Sequence, residues 1–219
     1  MTHRSRSVVA LTAAVAIAGL AGACSFRAVQ GTGPVKTETR AAAAFTKLES
    51  SFGIIVDLTV GEAPSLTVEA PADLLPIITT EISGDTLRIK GTKDFFGATP
   101  VTVHVATPDL ETVKLFGGSI VTANELALDT LGLDLSGGAQ FTASGSSGAI
   151  AIDGSGGAAA HLDQLTAGLV TLELSGGAQA NVNATDTVIG DISGGAHATV
   201  SGPAQLNVDT SGGGSVDRG

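Results

Sequence analysis

From about residue 53 to the C-terminus, aliphatic and polar side chains alternate in short runs, the two-residue period of strands that bury one face. In the first half, residues 53–61, 65–70, 86–91 and 101–107 each predict a strand, rich in β-branched side chains and bounded by Gly, Pro or Asp. Residues 71–84 are ambiguous. Leu74, Leu75 and Ile78 suit one helical face, but Pro76 permits only a short turn. His104, between Val103 and Val105, reads as an outward strand residue, with no second His or Cys at metal-ligand spacing.

The second half repeats. A Gly-Gly pair follows Phe116, Ser136, Ser155, Ser175, Ser193 and Ser211, at spacings of 20, 19, 20, 18 and 18 residues. Upstream of the serines stand aliphatic pairs such as Leu133 with Leu135 and Leu172 with Leu174, and Ile152 and Val208 take the first of these places. Such a unit holds three short strands and tight bends, and it cannot bury its inner face alone, so successive units must stack. The expected fold is all-β: a right-handed parallel β-helix over 45–219, with coils of 18–20 residues and the N-terminal strands forming the first coils. Each strand would pair with its counterparts about 4.8 Å above and below. The Gly-Gly bends supply positions free of Cβ. A calcium-binding β-roll is not indicated, because Ser215 stands where its third glycine belongs.

Composition fits a thin interior: 30 Gly and seven Phe, but no Trp or Tyr. The missing aromatic platforms argue against sites that stack sugars or bases. With 21 acidic against 11 basic residues, a net −10, nucleic acid is not an expected partner.

Residues 1–23 predict an export signal, with Arg4 and Arg6 ahead of a 16-residue apolar run over 8–23, shorter than the about 20 residues of a membrane span. Cys24, the single cysteine, follows Leu20-Ala21-Gly22-Ala23, which resembles a bacterial lipobox with its Leu one place further out. Ala21-Gly22-Ala23 would equally serve ordinary signal peptidase, leaving plain secretion with a free thiol as the alternative. Lipidation at Cys24 would attach the exported chain to the cell membrane or, Ser25 not being Asp, to the outer membrane of a two-membrane cell. Residues 24–44 show no periodicity and predict a flexible tether with an average reach of about 25 Å. The mature chain would carry 9 basic and 21 acidic residues, and after Phe116 there are ten acids and one base, Arg218.

Two residues before each Ser of the last five repeats stands an acid: Asp134, Asp153, Glu173, Asp191 and Asp209, with Lys114 at the corresponding place before Phe116. Stacking would align them into a column. The carboxylates then either face solvent and accept bonds from bend serines and amides, or hold hard divalent cations. No catalytic residues and no cofactor are expected: the acids form only a regular column, and neither His161 nor His197 has a positioned partner. The last coil leaves an open strand edge, with Asp217, Arg218 and Gly219 to blunt it, so self-association is a further expectation.

Several segments together resemble one family. They are Phe45 and Leu48 ahead of Gly53-Ile-Ile-Val-Asp-Leu-Thr-Val, Gly84-Asp-Thr-Leu-Arg-Ile, Val101-Thr-Val-His-Val with Pro108-Asp-Leu, and the recurring Ser-Gly-Gly steps. Over residues 45–219 the chain is similar to the "putative auto-transporter adhesin, head GIN domain" family of bacterial envelope proteins. The resemblance implies a non-catalytic head that displays, adheres or binds an unknown protein or surface ligand. An accessory or sensor role in envelope-stress signalling is the alternative, and a carbohydrate-active enzyme a weaker one. Nothing after Ser211 could form an autotransporter barrel.

Overall fold

The computed structural model of the protein describes residues 28–219. The leader and Cys24, on which the export and lipidation expectations fall, lie outside them. Of the described residues 66% are in strands and 2% helical, wound into a β-solenoid of about five turns.

The chain enters through β1 (Val29–Gly31) and β2 (Val35–Thr39), then β3 (Lys47–Ser50), β4 (Ile55–Val60) and β5 (Ser65–Pro71). A 3-10 turn at Leu75–Ile77 leads to β6 (Ile78–Ser83), β7 (Thr86–Gly91), β8 (Phe95–Gly97), β9 (Thr102–Thr107) and β10 (Thr112–Leu115). The four strands expected from alternation are β4, β5, β7 and β9. The ambiguous stretch resolves as Pro76 dictates: one short turn that buries Leu74, Leu75 and Ile78, followed by a strand.

The repeat occupies β11 (Ile120–Leu135), β12 (Gln140–Gly154), β13 (Ala159–Leu174), β14 (Gln179–Ile192), β15 (His197–Ser201), β16 (Gln205–Thr210) and β17 (Ser215–Arg218). All pair in parallel, each coil with the next. The coils are smoother than three strands and tight bends. β11 to β14 run 14–16 residues and turn through register shifts such as Ala123/Leu126. In each coil the ladder breaks where Ser-Gly-Gly turns the corner. There Gly137, Gly156, Gly176 and Gly194 have φ of 67–73°, and a Cβ on any of them would stand about 3 Å from the backbone of the glycine one coil earlier. Gly138, Gly157, Gly177 and Gly195 donate to the preceding corner's carbonyl at 2.6–2.7 Å, so the corners are a hydrogen-bonded stack.

The first coils are built from the N-terminal strands, but not in chain order. β3 lies between β7 and β10, and β4 between β9 and β11. The coil of β7 and β9 is thus outermost, although it follows β3 and β4 in sequence. Antiparallel strands then close that end: β6 on β7, β5 on β9 and β2 on β5. This covers one open edge, which a stack of parallel strands otherwise leaves exposed.

The tether expected over 24–44 is replaced, over its described part, by structure. β1 pairs with β8 and β2 with β5. All five β2 side chains are exposed, so no buried period marks it in sequence; it is held by its backbone ladder. Arg40 secures the exit, its guanidinium donating to Ile78 O at 2.7 Å and Leu75 O at 3.1 Å. Between β1 and β2, the Asp73 carboxylate accepts from Thr32 N at 2.9 Å, Thr32 Oγ1 at 3.1 Å and Gly33 N at 3.2 Å.

Those bonds, the Thr32 amide's first, hold the Asp73 carboxyl below its ordinary value of 3.8. A carboxylate with a depressed folded pKa stabilises its surroundings above the unfolded value and stops doing so as pH falls through the folded one. Amides of residues 29–39 are therefore expected to lose hydrogen-exchange protection as pH drops below about 4. Asp73→Asn should produce that loss at neutral pH; protection unchanged in the variant would refute the role.

A carboxylate column on the outer face of the solenoid

The parallel register aligns the acids as expected. Asp134 pairs with Asp153, Asp153 with Glu173, Glu173 with Asp191, and Asp191 with Asp209. Going the other way, Lys114 pairs with Asp134 and with Glu49, and Glu49 with Arg88. One row therefore alternates in sign near the N-terminal end and is purely acidic beyond Lys114. Lys114 Nζ lies 3.3 Å from Asp134 Oδ2, and Arg88 Nε 2.7 Å from Glu49 Oε2. Glu49 and Arg88 escape the sequence reading because their coils do not stack in chain order.

Asp153, Glu173, Asp191 and Asp209 are exposed and Asp134 is half-buried. Asp134 is the one member with an ion-pair partner among the described residues. Among those residues, no group of three or more His, Cys, Asp or Glu is arranged to hold a metal ion.

Beside the column, the outward positions one step back are Thr112, Gly132, Ala151 and Thr171. These small side chains leave a groove of about 290 Å³, walled by Lys114, Asp134, Asp153 and Glu173. A second hollow of about 410 Å³ lies on the other side of the column, between Asp153, Glu173 and Asp191 and the corner residues Ser175 and Ser193. The face is open and bordered by negative side chains, with small and aliphatic groups along the groove between them; it is suited to contact with a cationic surface.

Asp153 has a like charge on each side. Charges 4 Å apart in water repel by about 1 kcal/mol, less at the spacing of strands. Asp153→Asn is expected to raise stability by roughly 0.5–1 kcal/mol at low salt, and the gain should shrink in about 0.5 M NaCl as screening replaces it. Urea unfolding at the two salt levels measures it. A calcium-induced rise in the melting midpoint, beyond that of sodium chloride at equal ionic strength, would show occupancy by divalent cations.

The histidines lie elsewhere. His104 points outward as expected, Nδ1 3.0 Å from Asp57 Oδ2. His161 sits half-exposed between Thr142 and Asn181 in register. His197 does have positioned partners, contrary to expectation: Nδ1 is 2.8 Å from Ser215 Oγ, and Nε2 is 3.3 Å from Thr199 Oγ1 and 3.9 Å from Asp217 Oδ2. The separation of Ser215 and Asp217 from His197 by one coil hid this grouping. It is not set up for acyl transfer. At 3.9 Å Asp217 does not hydrogen-bond the ring, and the Ser215 amide, a donor an oxyanion would need, is bonded to Ala196 O.

At the C-terminal end, among the described residues, β16 pairs only with β14 and β17 only with β15. Arg218 folds back across this end and donates to Gly202 O and Ala204 O.

The sequence profile described as "Putative auto-transporter adhesin, head GIN domain" matches residues 44–204. The chain belongs to that family. Solved structures share the head GIN fold at low identity. A putative adhesin from Bacteroides fragilis is 15% identical with a TM-score of 0.71, covering 87% of this chain and 99% of its own. One from Parabacteroides merdae is 17% identical, TM-score 0.54, over 87% and 98%. A Parabacteroides distasonis protein described as a putative lipid binding protein is 15% identical, TM-score 0.51, over 88% and 100%. Such identities establish the fold alone. No curated protein matches the chain by sequence.

Proposed function

We propose that this head GIN domain is a lipid-anchored envelope protein that acts by displaying its outer face to a surface or protein ligand, with no chemistry of its own. The observation that carries this reading is the register of Asp134, Asp153, Glu173, Asp191 and Asp209 along an open groove. It offers a long, regular negative surface of the kind that binds an extended partner through many weak contacts. The adhesin description of the family and of its structural relatives agrees with display at a cell surface. Anchoring rests on the lipobox-like residues up to Cys24.

Membrane fractionation of wild type and Cys24→Ser tests the anchor; an unchanged membrane pool in the variant overturns it. For the display role, the isolated head is assayed on immobilised host and matrix material alongside a variant with Asp153, Glu173 and Asp191 changed to Asn. Binding by the wild type that the variant loses supports display for adhesion. Crosslinking in membranes to one stoichiometric protein, with no matrix binding, overturns it in favour of an accessory subunit.

A further inference from the structure

We propose that the N-terminal cap rests against the phospholipid bilayer, with Phe96 seated at the lipid–water interface and the acidic coils directed away from the membrane. The proposal rests on the lipid anchor inferred above. It follows from how short the connection is. β1 is locked to β8 through Val29 against Phe95, Gln30 against Phe96 and Gly31 against Gly97, and the Val29 amide donates to Asp94 O at 2.8 Å. From Cys24 to Val29 is five residue steps, at most about 18 Å even fully extended. An anchored head is therefore held by β1 and β8, not by a long leash.

At that place the surface is unusual for this chain. Phe96 is 54% exposed, more than any other large apolar side chain among the described residues. Its neighbour Phe95 lies on the opposite side of β8 and stacks on Phe52 with ring centroids 6.5 Å apart. Val35, the first residue of β2, is also exposed. Aromatic rings settle at the headgroup level of a bilayer, where their apolar body leaves water. Among the described residues Phe96 is the exposed ring that lies in register with β1, the strand nearest the anchor.

Charge favours the same orientation. Residues 28–116 carry seven bases against eleven acids, a net −4, whereas the coils after Phe116 carry one base, Arg218, against ten acids, a net −9. An anionic membrane surface therefore repels the distal coils more than the cap.

The chain has no tryptophan, so a single one reports its own surroundings. The full lipidated protein carrying Phe96→Trp is reconstituted into phosphatidylcholine vesicles with brominated acyl chains, and Leu169→Trp, at an exposed site on β13, serves as the distal control. The expected result is a blue-shifted, bromolipid-quenched emission for Phe96→Trp and neither change for Leu169→Trp. Mass spectrometry of the Cys24 peptide reads the anchor separately. A lipidated, vesicle-bound Phe96→Trp protein whose emission matches the control overturns the orientation alone; a Cys24 without diacylglycerol overturns the anchor and the orientation with it.

Discussion

Gly190→Ala is expected to cost the head roughly 4 kcal/mol, the combined size of a glycine-only backbone forced on a Cβ and of severe overpacking. Gly190 has φ of +141°, and its Cβ would stand 1.9 Å from Leu172 O and 2.7 Å from Leu172 C. Leu172 is its register partner one coil earlier, so the obstructing atoms are backbone fixed in the ladder, not a side chain free to swing. The aligned positions in the other coils are Leu133, Ile152, Leu172 and Val208. Sequence comparison of the repeats would thus suggest Gly190→Leu as a repair, and the structure predicts the reverse. Gly132→Ala is the control: the nearest atom to its Cβ is 3.7 Å away, and its effect should stay within about 0.5 kcal/mol. Stacked coils can unfold in parts, so hydrogen exchange across β14 and β16 reads the loss more directly than one midpoint. A Gly190→Ala protein within about 1 kcal/mol of wild type would contradict the strained geometry.

Gly190 also marks the limit of what periodicity carries. Ser-Gly-Gly corners and the five acids are legible because each coil repeats the same local constraint, and the structure stacks Asp134 through Asp209 as that repetition implies. The cap is not legible in this way. Nothing in residues 45–60 says that they lie between 86–107 and 112–135, because alternation fixes which face is buried and not which neighbour is paired. β2 is invisible for another reason: an edge strand with every side chain exposed has backbone partners and no hydrophobic signature. The same reordering brings Glu49 and Arg88 into the charged row. Ser215 meets His197 only because their strands are adjacent coils. The acidic column itself is thus readable by repetition, whereas its alternating, ion-paired beginning and the orientation of the head depend on the non-repeating cap.

Phe141→Ala is expected to destabilise by about 3–5 kcal/mol, the usual range for emptying a fully buried phenyl site. Phe141 is wholly buried on β12, and its register column reads Val121, Phe141, Ala160, Ala180, Ala198, Val216. One large ring followed by three methyl groups means that the residue stacked directly on the C-terminal side, Ala160, is too short to fill the space. The ladder holds the coil backbones about 4.8 Å apart, so they cannot close the gap either. Phe141→Leu should cost much less, about 1–2 kcal/mol, because most of the volume is retained. The damage should also be directional. Because each coil stabilises only its neighbours, the gap weakens the junction between the cap with β11 and the coils from β13 onward. Hydrogen exchange should therefore show protection lost first in β12 to β17, while β5, β7 and β9, held together by the antiparallel cap, keep theirs. Uniform loss across the chain would mean that the head unfolds as one cooperative unit and that the coil-by-coil account of its stability is wrong.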